Sequence, residues 1–170
     1  MRLKRANKLR ERCQLYELTL NEDKTRAFTL TKENHENFDF LGFTFYWGKQ
    51  GSRKKLKVKT QKDKLHKAMT EFDQWIKKNQ NRMKLSKLWA LAKAKIRGHI
   101  NYYGYWMNGL KVNHFYQVVV KSLFKWLNRR SQKHSYNWDG FNERIKNFPL
   151  ILPLGKLKLK KLGRSTYGNW

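Results

Sequence analysis

The alternation of apolar and polar residues predicts strands in the first third of the chain and helices after it. Short alternating runs at residues 16–20 and 26–30 are typical of β-strands. The most apolar run, FDFLGFTFYWG at residues 38–48, predicts a third strand, followed by a turn at residues 49–52 and a strand at residues 56–60. Together these runs predict a small antiparallel β-unit.

A helical period replaces the alternation from residue 60 onwards. The first predicted helix spans residues 60–79, with Thr60 and Asp63 as a start that resembles a capping box. Apolar residues that recur every three or four positions give it one buried face. Those residues are Leu65, Met69, Phe72 and Ile76.

Two further helices follow with the same period. The second is predicted to begin with Ser86 as its N-cap, and Gly98 should let a neighbouring element approach its middle closely. Its apolar stripe consists of Trp89, Ala92, Ile96, Ile100 and Tyr103. The third begins at about Asn113. Its inward positions are Tyr116, Val119, Leu123, Trp126 and Leu127.

The fold class predicted from these elements is α+β. A small antiparallel β-unit (residues 1–60) precedes a three-helix bundle (61–135). A short helix capped by Asp139 and an extended basic tail occupy residues 136–170, where two prolines and alternating lysines favour extended backbone.

Charge then points to the partner. The chain carries 39 Lys and Arg against 12 Asp and Glu, a formal net charge of +27, and it has no acidic residue between Gln74 and Trp138. Helices of such unbalanced charge repel one another unless a polyanion neutralises them, so nucleic acid is the expected partner. A ribosomal-type structural protein or a membrane-surface binder would share the charge, but usually not seven Trp and eight Tyr.

Several other classes are disfavoured. Cys13 is the only cysteine, and the five histidines lack the spacing of metal ligands, so we expect no disulfide framework, no metal and no cofactor. No apolar segment approaches the roughly 20 residues of a membrane span, and no signal peptide is apparent. We expect no membrane partner and a cytoplasmic location, or an organelle interior, rather than secretion.

Four short elements, in this order, resemble the carboxy-terminal half of group II intron reverse transcriptase/maturases. They are LTLNEDKT at residues 18–25, FDFLGF at 38–43, IRGHINYYGYW at 96–106 and WLNRR at 126–130. The resemblance covers roughly residues 10–135. It implies that residues 1–60 are a remnant of the polymerase palm and that residues 61–135 are the maturase-specific domain X, a thumb-like bundle that binds intron RNA.

The resemblance also implies roles for particular residues. Lys24 matches the palm block in which polymerases place a lysine near the leaving pyrophosphate. Phe40, Leu41 and Gly42 match the strand that grips the primer. In the family this strand packs on the palm, so we expect the apolar face of residues 38–47 to lack its partner here and to be exposed.

A candidate RNA-binding surface follows from the thumb-like part. Arginine can bind phosphate with two hydrogen bonds, and an exposed tyrosine can stack on an unpaired base. The candidates are Lys93, Arg97, Asn101, Tyr102, Arg129 and Arg130. Tyr103, on the apolar stripe, is expected in the core, and His99 on the helix surface. Arg129 and Arg130 fit equally well a cationic helix end favoured by the helix dipole.

Polymerase chemistry is not expected of this chain alone. It needs paired carboxylates that hold two metal ions about 4 Å apart, and the sequence contains no Asp-Asp pair. In the family those carboxylates lie upstream of the Lys-Thr block, together with the fingers and most of the palm. No paired-cysteine endonuclease motif or recognisable DNA-binding extension follows the bundle, so target cleavage is not supported.

Three hypotheses remain open after the sequence. In the first, the chain is an RNA-binding maturase module that assists intron folding and splicing. In the second, it is an inactive remnant or split piece of a reverse transcriptase from a mobile element, completed only by a separate chain with fingers and palm. In the third, it is a non-specific basic nucleic-acid-binding protein that also contacts DNA. The first is preferred as a description of binding.

Overall fold

The computed structural model describes residues 2–21, 25, 37–130 and 137–150. These form helix α1 (Arg2–Leu15), strands β1 (Phe38–Phe40), β2 (Phe43–Gln50) and β3 (Arg53–Thr60), helices α2 (Lys62–Asn79) and α3 (Leu85–Tyr103), a single 3-10 turn (Trp106–Asn108), and helices α4 (Gly109–Asn128) and α5 (Trp138–Asn147). The predicted α+β class is confirmed. Contacts divide the chain into two units, residues 1–36 and 37–170, so the boundary predicted at residue 60 lies inside the second unit.

The strand predicted at residues 16–20 is wrong, because these residues cap helix α1. Glu17 has a positive φ of 55°, and the amide of Leu18 donates to the carbonyl of Cys13 at 2.9 Å. A second bond from Glu17 to Gln14 completes a Schellman-type C-cap. The alternating pattern at residues 16–20 therefore does not form a strand. The strand predicted at residues 26–30, the palm-block Lys24 and the basic tail beyond residue 150 lie outside the described residues.

The sheet is built from two consecutive hairpins. Strand β2 lies between β1 and β3, antiparallel to both. The run predicted as one strand at residues 38–48 is instead interrupted at Leu41 and Gly42, both with positive φ, so that Phe40 pairs with Phe43 across a two-residue loop. The second loop, Gly51–Ser52, confirms the turn predicted there.

The register gives the sheet one apolar and one basic face. Residues paired across antiparallel strands point to the same side. The first face holds Phe38, Phe40, Phe43, Phe45, Trp47, Leu56, Val58 and Thr60. The second carries Lys55, Lys57 and Lys59 opposite Gly48, Tyr46 and Thr44. On the apolar face Phe43, Val58 and Thr60 are buried, so this face has a partner inside the chain.

The partner is the helical part of the second unit, where α2, α3 and α4 share one core with α5. The predicted stripes of all three helices enter it, with Tyr103 and Tyr116 half-buried at its edge. The fully or almost fully buried side chains include Ile76, Leu88, Ala92, Ile96, Val112, Val119, Leu123 and Phe141. Leu150 is also buried there, so the chain after α5 returns to the core.

The helix starts differ from the predicted ones. Helix α2 begins after Gln61, and α3 after Lys84, in both cases without a side-chain cap, so Thr60 with Asp63 and Ser86 do not cap. Helix α4 begins at Gly109, earlier than predicted, because the preceding 3-10 turn leads directly into it. Helices α2 and α3 therefore start without the side-chain caps that the sequence predicted.

Two further local predictions are corrected. Helix α5 is capped by Asn137 rather than Asp139, since the Asn137 side chain accepts from the amide of Gly140 at 2.8 Å. Gly98 does not admit a close neighbour, because a Cβ placed there would meet nothing within 4 Å. Gly98 therefore lies on an open face of α3.

Candidate nucleic-acid interface

Two of the sequence elements, FDFLGF and IRGHINYYGYW, meet in the fold. The hydroxyl of Tyr102, near the end of α3, donates to the carbonyl oxygen of Leu41 at 2.9 Å. At the next residue of the turn, a Cβ added to Gly42 would lie only 2.7 Å from the hydroxyl oxygen of Tyr103. The turn between β1 and β2 is thus held against the tyrosine pair.

The turn has an unusual backbone. Leu41 and Gly42 have φ values of 48° and 77°, the left-handed pair required by a type I′ hairpin loop. Glycine adopts this region freely, whereas a leucine there is strained and is uncommon. Two hydrogen bonds of 2.9 Å hold the loop in place. The Tyr102 hydroxyl donates to the carbonyl of Leu41, and the amide of Gln61 donates to the carbonyl of Gly42.

Aromatic packing joins strand β2 to the end of α3. The ring of Phe43 contacts three tyrosines, with ring centroids 5.8 Å from Tyr102, 5.1 Å from Tyr103 and 5.4 Å from Tyr105. Aromatic pairs at such distances stabilise a junction beyond the area they bury. Burial, and secondarily the neighbouring Tyr102, raise the pKa of the Tyr103 phenol, which keeps it protonated.

Asn108 ties the same junction together and was missed by sequence reasoning. Its side chain is buried, accepts from the amide of Thr60 at 2.8 Å, and donates to the Thr60 hydroxyl at 2.7 Å and to the carbonyl of Tyr103 at 2.9 Å. Asn108-Gly109 is a dipeptide typical of turns, and that signal predicts a bend rather than a buried amide. Thr60, predicted as a helix cap, is used here instead.

A groove of about 330 Å³ opens beside the turn. Phe40 and Leu41 remain 59% and 66% exposed at its edge, while Phe43 at its base is buried. Of the apolar side chains at residues 38–47, which were predicted to be exposed, only Phe40 and Leu41 are. The groove is lined by Phe40, Leu41, Phe43, Phe45, Val58, Asn101, Tyr102 and Tyr105.

One face of α3 presents three of the predicted RNA-binding residues. Lys93, Arg97 and Asn101 recur every four positions and therefore share a face of the helix. Arg97 and Asn101 are exposed, Lys93 is half-buried, and the open position of Gly98 lies beside them. Tyr102, at 50% exposure, extends this face toward the groove. We refer to Lys93, Arg97, Asn101 and Tyr102 as the α3 surface.

The other two predicted residues lie at the end of α4, in a different setting. The Arg129 guanidinium lies 5.2 Å from the Trp126 ring centroid, and the ammonium groups of Lys125 and Lys77 lie 4.6 Å and 5.7 Å from it. Arg130, the next residue after Arg129, is half-buried. Three cations over one indole ring form a positive site separate in sequence from the α3 surface.

Asp73 places one negative charge beside this site. Its carboxylate accepts from the Ser122 hydroxyl at 2.6 Å and from the Trp126 indole at 2.8 Å, and so joins α2 to α4. Partial burial alone would raise its pKa, but these two hydrogen bonds and the charges of Lys125 and Lys77 outweigh burial and lower it. The carboxylate therefore stays charged and orders the indole beneath the cations.

His99 is not the surface residue that was predicted. Its ring stacks on Phe115 with centroids 3.6 Å apart, and burial lowers its pKa from 6.5 to about 4. A neutral imidazole at physiological pH does not contribute charge to an RNA-binding surface. His99 belongs to the packing between α3 and α4.

Comparisons with protein-family models, with curated proteins and with solved structures returned no match for this chain. No helix in the described ranges is long and apolar enough to cross a lipid bilayer. Within the same ranges, no three histidine, cysteine, aspartate or glutamate side chains converge as a metal site requires. What the chain does is therefore inferred from its own residues.

Proposed function

We propose that the chain is an RNA-binding module of the maturase type, which binds structured group II intron RNA and assists its folding and splicing. The observation that carries the proposal is the contact between Tyr102 and Leu41. It joins the two elements whose order in the sequence resembles the family, FDFLGF and IRGHINYYGYW. A chance likeness in sequence alone gives no reason for the two elements to touch.

The α3 surface supplies the chemistry of binding. Arg97 offers a planar guanidinium that can bind one phosphate through two hydrogen bonds, and Lys93 adds a second positive charge one turn away. Asn101 and Tyr102 are exposed beside them and can contact a base edge or stack on an unpaired base. These roles require no catalytic group, and the RNA performs the splicing reaction.

The experiment that tests this surface compares the salt dependence of RNA binding in two variants. Arg97→Gln removes a proposed phosphate contact, so the slope of log Kobs against log salt should become less negative by about 0.7 to 0.9. The control is Lys64→Gln, which removes an exposed charge from α2. Equal slopes in both variants and in the unmodified chain would show that the α3 surface does not contact RNA.

A second function is favoured by the exposure of Phe40 and Leu41 beside the groove. The chain would then be a split piece of a reverse transcriptase whose fingers and palm are on a separate polypeptide. The nucleotide sequence that flanks the gene tests this directly. A reading frame for fingers and palm nearby supports it, and flanking sequence with no such frame within the locus counts against it.

A further inference from the structure

A second cleft lies between the start of α3 and the end of α5. Its volume of about 470 Å³ falls within the roughly 300–1,000 Å³ typical of sites for small ligands. No motif or periodic pattern in the sequence predicted this cleft. Its described lining consists of Ser86, Trp89, Ala90, Lys93, Arg144, Asn147, Phe148 and Pro149.

The wall of the cleft that carries Phe148 is held by contacts at the Phe148 carbonyl and at Leu150. The indole nitrogen of Trp89 donates to the carbonyl oxygen of Phe148 at 3.0 Å, which ties the end of α5 to α3. Two residues later Leu150 is fully buried in the core, and Phe141 packs edge-on against Trp89. The wall that carries Phe148 is thus anchored at two points, and a ligand would enter a site that is already formed.

Arg144 is positioned between two aromatic rings. Its guanidinium carbon lies 5.5 Å from the centroid of Trp89 and 5.9 Å from that of Phe148. Trp89 is 9% exposed, whereas Phe148 is 61% exposed. The site therefore combines a cation held by two rings with an accessible aromatic ring, and the exposed ring of Phe148 can stack on a nucleobase.

The charge of the cleft favours an anion. Lys93 and Arg144 are both on its lining, and none of the described lining residues is acidic. Ser86 and Asn147 add a hydroxyl and an amide that can form hydrogen bonds in either direction. A ligand that suits the whole lining carries a flat ring for Phe148 and a negative group for Lys93.

We propose that this cleft binds one unpaired nucleotide of an RNA strand. The base stacks on Phe148, the edge of the Arg144 guanidinium donates hydrogen bonds to the nucleotide, and the adjoining phosphate contacts Lys93. A base within a duplex has both faces covered by its neighbours and cannot reach a ring inside a cleft, whereas a base in a loop or bulge can. The inference rests on the proposed RNA partner and assigns it a second contact, since Lys93 lies on both the α3 surface and this cleft.

The test uses the full chain and two RNAs of the same composition, a single-stranded oligonucleotide with one 2-aminopurine and a hairpin in which that base is paired. Binding is followed by the fluorescence of 2-aminopurine, which falls when the base stacks. Phe148→Ala should weaken binding of the single strand by roughly 5- to 100-fold, the range for loss of one base–aromatic stack. Binding of the hairpin should change less than about twofold.

The control variant is Leu110→Ala, which removes an apolar side chain that is 86% exposed on α4. It should leave both RNAs bound as before. If Phe148→Ala and Leu110→Ala bind the single strand equally well, the cleft is not a nucleotide site, while RNA binding by the α3 surface remains intact. Failure of the unmodified chain to bind the single strand would overturn the assignment of this cleft, whereas the proposed function is overturned only if intron RNA is not bound either.

Discussion

The hydroxyl of Tyr102 donates a hydrogen bond to the carbonyl oxygen of Leu41 across 61 residues of sequence, at 2.9 Å. This bond, with the close approach of Tyr103 to Gly42, makes the hairpin turn and the end of α3 a single structural unit. Substitutions at the turn should therefore perturb the α3 surface, and substitutions at the α3 surface should perturb the turn.

Gly42→Ala tests the close approach at the turn. The new Cβ would lie 2.7 Å from the Tyr103 hydroxyl, and residue 42 would have to keep its φ of 77°. Left-handed strain and overpacking together should lower the free energy of unfolding by about 3 kcal/mol, measured by denaturant titration. Gly51→Ala is the matched control, since Gly51 also has positive φ but faces open space, and it should cost only about 1 kcal/mol.

Gly42→Ala in a Tyr103→Phe background separates the cost of overpacking from the cost of left-handed strain. Without the hydroxyl, the nearest ring atoms of residue 103 lie 3.6 Å from the new Cβ, an ordinary contact. The cost of Gly42→Ala should then fall to that of Gly51→Ala. A cost that is unchanged in the double variant would mean that the tyrosine does not constrain the turn.

Asn108→Ala should be among the most destabilising single changes at the junction of sheet and helices. It removes three hydrogen bonds and leaves the amide of Thr60 and the carbonyl of Tyr103 without the partner they have now. A loss of about 3 kcal/mol in the free energy of unfolding is expected. Asn101→Ala, at an exposed position, should change it by less than about 0.5 kcal/mol. Similar effects of the two would contradict the role of Asn108.

Asp73→Ala should loosen the contact between α2 and α4. The Ser122 hydroxyl and the Trp126 indole lose their shared acceptor, so the free energy of unfolding should fall by about 2 kcal/mol. Asp73→Asn keeps an acceptor oxygen and should lie between this variant and the unmodified chain. Glu71→Ala, which removes only an exposed partner of Lys67, should have almost no effect. Thermal unfolding at neutral pH distinguishes these outcomes.

The lowered pKa of His99 predicts that the protein loses stability in mild acid. Its folded pKa is about 4, against 6.5 for an ordinary histidine, so between these values the unfolded chain binds a proton that the folded chain does not. Stability should be full above pH 6.5 and decline as the pH falls toward 4, by as much as about 3 kcal/mol. In His99→Gln the free energy of unfolding should depend less on pH over this window. An unchanged dependence would show that His99 does not carry the effect.

Periodicity predicted the helices well because burial imposes it. Leu65, Phe72 and Ile76 had to share a face for α2 to pack, and they do. Local signals predicted the ends poorly. Thr60, Ser86 and Asp139 are each good capping residues, yet each helix starts at a neighbouring position, since capping contributes only about 1 kcal/mol and tertiary contacts exceed it.

The candidate interface was predicted in part. Arg97, Asn101 and Tyr102, which were selected from the resemblance of IRGHINYYGYW to the family, lie exposed near one another. Asn108 was missed because a buried asparagine has no periodic signature, and His99 was misplaced because its burial depends on Phe115, which lies on another helix. The cleft at Phe148 depends on the return of Leu150 to the core, a long-range contact that no local pattern shows.

The most direct test of the account is binding of the purified chain to a group II intron RNA, a structured RNA of equal length from another source, and duplex DNA, each across a salt series. We expect the intron RNA to be preferred at least about tenfold, and the preference to persist at about 0.2 M salt, where non-specific charge contacts are weakened. If the two RNAs and the DNA bind with equal affinities that fall steeply and in parallel with salt, the maturase proposal is contradicted. The chain would then be a non-specific basic nucleic-acid binder.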